Sequence, residues 1–326
     1  METNVWRFPG KSRAAYSRVR HVSRLPLLSR LQNGLSVTRA CNTYTTTTTT
    51  TTIVKPRRSS DMGHHNIRFD GDPHALAGAW SPSNSRANFC EQDYALTMYL
   101  AEMINSLTNI AYVYYALRFM YGPGSRGLLA PRWDAMSLSL LVLGIGSFLF
   151  HATLRQTLEF ADEFSMLGLT WSMLQATFAI RTSRATYRAV STGLAVCFIS
   201  FAVFYLQSPK IIYQVLAFVL SLLALIARTH YLYHGVQPAL APAQRGDWIA
   251  RTWKATGLAV FGYVLWNIDL EFCAQLRAIR QMVGLPWAWL FELHGWWHVL
   301  TAMATGQFMD VVREMHQEER REKKKA

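Results

Sequence analysis

The chain has 326 residues, of which 51% are hydrophobic and 16% charged, with a formal net charge of +13 and a mean hydropathy of +0.07. Its length would allow two or three soluble domains, but so apolar and sparsely charged a composition points instead to a polytopic membrane protein. The average conceals a division. Residues 1–76 are polar and basic, include the threonine run Thr45–Thr52 and lack any long apolar stretch. They cannot bury enough surface to offset chain entropy, and read as a disordered tail, either a plain leader or one with the Arg and Ser content of a transit peptide.

Seven apolar stretches of about the 20 residues a bilayer requires then follow. They cover about Tyr99 to Tyr121, Asp134 to Leu154, Phe160 to Ile180, Tyr187 to Leu206, Ile211 to Tyr233, Trp253 to Cys273 and Pro286 to Val312. Turn chemistry separates them at Gly122-Pro123-Gly124, Pro131, Ser208-Pro209 and the Pro- and Gly-bearing segment 235–247. The expected fold is all-α: a seven-transmembrane bundle over 77–312 and a basic tail over 313–326. The third and sixth stretches carry acids, and a count of six would reverse the relation between the two ends.

Basic residues set the orientation. Arg118, Arg126, Arg132, Arg181, Arg184, Arg188, Arg228, Arg245, Arg251, Lys254, Arg313, Arg320, Arg321 and Lys323 to Lys325 share one side; Arg86, Arg155, Lys210, Arg277 and Arg280 fall on the other. The positive-inside rule places the first set, and with it the C-terminus, in the cytosol. The distal N-terminal tail is also basic but lies too far from the first span to count for much. Arg320 to Lys325 read as an anchor beside anionic lipid, with a cytosolic retrieval signal a weaker reading, rather than as a nucleic-acid patch. Trp133, Tyr205, Tyr231, Trp253, Trp287 and Trp289, near stretch ends, read as an interfacial aromatic belt.

On this topology several ionisable residues share the lumenal layer. Ser147 and His151 end the second stretch, Asp162 and Glu163 open the third, and His294 and His298 open the seventh. Four-residue spacing puts each helical pair on one face. Two histidines so spaced form either a ligand pair for Zn²⁺, whose catalytic sites take three protein ligands, or a satisfied polar pair between packed helices. Ionisable groups at membrane depth are costly and usually functional, and His151 would supply the third ligand. His64, His65 and His74 have no partner at helical spacing and stay outside this set.

Gly146-Ser-Phe-Leu-Phe-His151, the Asp162-Glu163 pair and Leu293-His-Gly-Trp-Trp-His298 resemble, in order and spacing, the three motifs of the alkaline ceramidases. Gly78-Ala-Trp-Ser-Pro82, Asn88-Phe-Cys-Glu-Gln-Asp-Tyr94, Ala101-Glu102 and Asn105 resemble the segment leading into that family's first span. The likeness runs from about Ala77 to about Val312. It implies a seven-span hydrolase of the endoplasmic reticulum or Golgi that cleaves ceramide to a sphingoid base and a fatty acid. Carried over, His151, His294 and His298 are zinc ligands, Asp162 is the general base, and Ser147 donates to the oxyanion.

Glu91, Asp93 and Glu102, with the side-chain oxygen of Asn88 and the carbonyl of Phe89, form an oxygen-rich set of the kind Ca²⁺ takes; without the resemblance they would read as a solvated segment ahead of a helix. The chain departs from the family pattern here, with Asn88 for the usual Asp, Phe89 for Trp and Asp93 for a frequent Asn. Cys90 and Cys273, both on the expected lumenal side, should form a disulfide, leaving Cys41 and Cys197 unpaired, the latter as a small core residue. Seven-span receptors of the progestin and adiponectin type share Ser-x-x-x-His and His-x-x-x-His around zinc and are the competing resemblance; the acidic segment, the lumenal N-terminal side and Asp162-Glu163 favour the hydrolase.

Overall fold

The computed structural model describes residues 72–122, 125, 127–237 and 239–325. Most of the expected tail, with Cys41, His64 and His65, lies outside the described residues. Asp72 already belongs to the structured part: it forms an ion pair with Arg277, and its carboxylate accepts the Asp93 N–H at 2.8 Å.

Among the described residues all regular structure is helical. The elements are α1 (Met103–Thr108), α2 (Ile110–Met120), α3 (Ala135–Thr153), α4 (Gln156–Phe178), α5 (Arg184–Gln207), α6 (Ile211–His234), α7 (Arg245–Glu271), α8 (Cys273–Val283) and α9 (Leu293–Lys325), with a 3₁₀ turn at Trp287–Phe291. Helices α3, α5 and α6 are each long and apolar enough to cross a membrane; α7 and α8, bent by 89° at their junction, would together make a fourth span. The expected seven stretches are thus all largely helical, while three or four qualify as spans by length and composition. Those that fall short include α4 and α9, whose runs are interrupted by Asp162, Glu163, His294 and His298.

The first stretch departs most from expectation. Helix begins at Met103 rather than Tyr99, because Ala101 and Glu102 donate their N–H groups to the carbonyls of Ala152 and His151, at 2.9 and 3.0 Å. Those carbonyls close α3 and have no intrahelical partner of their own, so the non-helical residues 101–102 satisfy them. Glu91 then serves the start of α1, its two carboxylate oxygens accepting from Ile104 N and Asn105 N at 2.7 and 2.8 Å. At the other end the helix runs past the expected Val312, and 313–325 continue α9.

Close packing fixes α2, α3, α4, α7 and α9 around the site. Gly144 lets α2 lie against α3: a Cβ there would meet Val113 Cγ2 at 2.9 Å. By contrast only 6% of the α5 span and 11% of the α6 span are buried within the protein, against 56% for α3. Ile199 and Leu220, more than half exposed, therefore lie outside the core of this chain, as residues of a candidate membrane span can. Cys197 shares that exposed face of α5, which corrects its reading as a core residue. Tyr205 corrects the belt assignment in the opposite sense: it is buried, and its hydroxyl donates to Glu163 Oε1 at 2.9 Å.

Cys90 and Cys273 form the expected disulfide, with Cα atoms 5.3 Å apart. It ties the segment before α1 to the start of α8, where Asp269 accepts the Cys90 N–H and Arg280 donates to the Cys90 carbonyl at 3.0 Å. Because the bridge spans 183 residues, its loss releases a large loop in the unfolded chain. Replacing both cysteines with serine should lower stability by about 2–5 kcal/mol. A thermal unfolding temperature equal to that of the native chain would contradict it.

Candidate metal centre and active site

Three histidines from two helices meet where α3 ends and α9 begins. Ligand nitrogens of His151, His294 and His298 all lie within 4.8 Å of one another, the only such group of three His, Cys, Asp or Glu side chains among the described residues. All three are buried, and their ring centroids are 4.7 to 5.1 Å apart. Local structure explains the convergence. His294 and His298 lie one turn apart in the first turns of α9, and His151 lies in the last turn of α3.

The remaining ring nitrogens show how the imidazoles are held. His151 Nδ1 lies 2.6 Å from Glu102 Oε2, and His298 Nδ1 lies 3.0 Å from Thr108 Oγ1. A carboxylate behind a ligating histidine fixes its tautomer and ring orientation. His151 Nε2 and His294 Nδ1 are buried and have no hydrogen-bond partner. Buried nitrogens left without a partner in a tight imidazole cluster are what a bound cation would satisfy, and the donor set suits zinc. The three histidines can bind a metal such as zinc.

Ser147 and Asp162 also come together. Ser147, one turn before His151 on α3, lies beside the Asp162 carboxylate on α4, whose Oδ1 is buried and unpartnered. Glu163 turns away from its neighbour to Tyr205 on α5. Phe89 roofs the cluster, its ring stacked on His294 with centroids 3.8 Å apart, and Trp266 meets the same imidazole at 5.6 Å.

The acidic segment is less concentrated than its sequence implies. Glu91 is engaged at the start of α1, Glu102 at His151, and Asn88 Oδ1 accepts the Phe89 N–H at 2.8 Å. Asp93 Oδ1 is buried without a partner. Burial, with the carboxylates of Glu102 and Asp72 nearby, pushes Asp93 up to about 8 despite the opposing Arg277. Burial, with Glu292 and Glu102 beside it, likewise raises Glu91 well above the usual carboxylate range.

Residues 81–326 match the family model described as Ceramidase. The chain belongs to the ceramidase family. It is similar to alkaline ceramidase 3 of Mus musculus, 29% identical over 70% of this chain and 82% of that protein. It is also similar to alkaline ceramidase YPC1 of Saccharomyces cerevisiae, at 27% over 73% and 78% of the two chains, and to an alkaline ceramidase of Arabidopsis thaliana, at 29% over 69% and 81%. Family membership makes this ceramidase an amidase of the alkaline type and decides against the receptor reading.

Glu102 and Thr108 are the supporting residues whose roles at the histidines the sequence reading did not assign. A signal existed. Glu102, Asn105, Ser106 and Asn109 recur at helical spacing in an otherwise apolar stretch, and all are buried. Glu102→Gln keeps an acceptor for the Phe89 N–H but removes the charge behind His151. Zinc affinity, measured by competition with a coloured chelator, should fall about 10- to 100-fold. An unchanged affinity would remove Glu102 from the metal's support.

Proposed function

We propose that the chain is a zinc-dependent intramembrane amidase that hydrolyses ceramide, including dihydro- and phytoceramide, to a sphingoid base and a free fatty acid. The observation that carries the reading is the buried His151–His294–His298 cluster with two ring nitrogens lacking any partner. Zinc, when bound, supplies Lewis acidity and brings the pKa of water from about 16 to about 7. His151, His294 and His298 hold it, with Glu102 and Thr108 setting two of the rings. Asp162 accepts the proton of the attacking water and returns it to the departing amine, so the amide C–N bond breaks as the acid forms. Ser147 donates its hydroxyl to the oxygen that gains charge at the carbonyl. Phe89 and Trp266 cover His294 and keep bulk water from it.

The remaining assignments follow from the same reading. A seven-span bundle over 77–312, with the site at the lumenal face of the endoplasmic reticulum or Golgi and the C-terminus cytosolic, agrees with a disulfide beside the site, since such bonds persist in oxidising compartments. A tag after residue 326 should then be reached by antibody when only the plasma membrane is permeabilised. Calcium at Asn88, Phe89, Glu91, Asp93 and Glu102 rests on the family resemblance and on buried carboxylates that a cation would relieve.

One experiment tests both metals. Purified protein should release fatty acid from ceramide, lose that activity to a zinc-selective chelator and regain it with added zinc. A calcium-selective chelator should lower activity and leave zinc content intact. Full turnover in a preparation stripped of zinc would end the zinc assignment, and indifference to calcium removal would end the second.

A further inference from the structure

A cavity of about 490 Å³ opens at the end of the bundle remote from the histidines. Asp134 marks its level and His151 lies 17 residues further along α3, about 25 Å at the helical rise. Its volume is within the range of ligand sites, and its lining is cationic. Arg132, Arg313 and Arg320 face it against a single carboxylate, that of Asp134.

Arg313 is the group that needs explaining. Its Nη2 donates to Asp134, at 3.0 and 2.8 Å, and to Ser137 Oγ at 2.7 Å, and its guanidinium lies 4.0 Å over the Phe119 ring. Its Nε and Nη1 are buried and have no acceptor in the protein. Three permanent cations lining one cavity against one carboxylate suit an anion with several acceptor oxygens. Nearby carboxylates are engaged elsewhere. Glu314 pairs with Arg251 and Trp248, Glu319 and Glu322 with Arg181, and Glu318 with Arg321, while Asp310, whose charge also reaches Arg313, pairs with Arg118 at 3.6 Å.

We infer that this cavity binds a phosphate group, held by Arg313 with Arg132 and Arg320 at its mouth. Phosphate offers several acceptor oxygens at once, and arginine forks match its geometry. Ceramide carries no phosphate, so the ligand is not the substrate. Trp133, 66% exposed on the cavity lining, is the kind of side chain that sits at headgroup level. Basic pockets between membrane helices hold phosphorylated lipid heads, and free phosphate has the same chemistry.

The test uses the full chain in phosphatidylcholine nanodiscs, with phosphatidic acid in one arm and inorganic phosphate in another. Either ligand should raise the unfolding temperature with a saturable dependence on its concentration. A response confined to phosphatidic acid assigns the site to lipid; a response to both assigns it to phosphate as such. The double variant Arg132→Gln, Arg320→Gln should weaken apparent affinity about tenfold or more while ceramide hydrolysis in plain phosphatidylcholine is kept, which shows the fold intact. No shift in either arm overturns the site. So does a double variant that responds like the native chain while Lys324→Gln, Lys325→Gln abolishes the response, since bulk charge on the tail would then account for it.

Discussion

Replacing His294 with alanine should remove bound zinc and ceramide hydrolysis together. The imidazole stacks between Phe89 and the other two histidines, and its Nδ1 has nothing else to bond. Two histidines do not make a catalytic zinc site, which takes three protein ligands. Loss of the metal forfeits several kcal/mol of charge stabilisation, on the order of a thousandfold or more in rate. Alanine leaves space under Phe89 but no unpaired charge, so the protein should still accumulate and keep its disulfide. Zinc per mole of purified protein and fatty acid released from ceramide are the two readouts. A variant that retains one zinc and native turnover would mean that His294 is only a packed core residue.

How far the sequence could be read depended on whether a feature is local. The histidine spacing on α9 and the Ser147–His151 pair on α3 are one-turn relations, so four-residue periodicity was enough to put each pair on one face. That α3 and α9 bring the two pairs to one point is a tertiary fact; it became legible because span counting put both at the same depth. The start of α1 was not legible. Tyr99 to Ala101 are apolar enough for a helix, but the open carbonyls of His151 and Ala152 on α3 hold the backbone at 101 and 102 out of one. Glu102 is half legible for the same reason. Beside Glu91 and Asp93 in sequence it reads as one more oxygen donor, and only the fold shows that its Oε2 also meets His151. Tyr205 likewise looked like an interfacial residue near the end of a stretch until Glu163 on a neighbouring helix gave its hydroxyl a buried partner.

Asp162→Asn should separate what His294→Ala joins. Asparagine has the shape of aspartate, so the packing of α4 against α3 beside Ser147 persists. None of the three imidazoles bonds Asp162; His151 and His298 lean on Glu102 and Thr108. Zinc content should therefore stay at the native level. Turnover should not, because the amide cannot take a proton from water and return it to the leaving amine, a role worth about 10²–10⁴-fold. The loss should appear in kcat with KM little changed, since the proton is in flight only in the transition state. Equal loss of zinc would place Asp162 among the groups that build the metal site. Turnover within about threefold of native, well short of what general-base loss costs, would pass the proton-carrying role to another group.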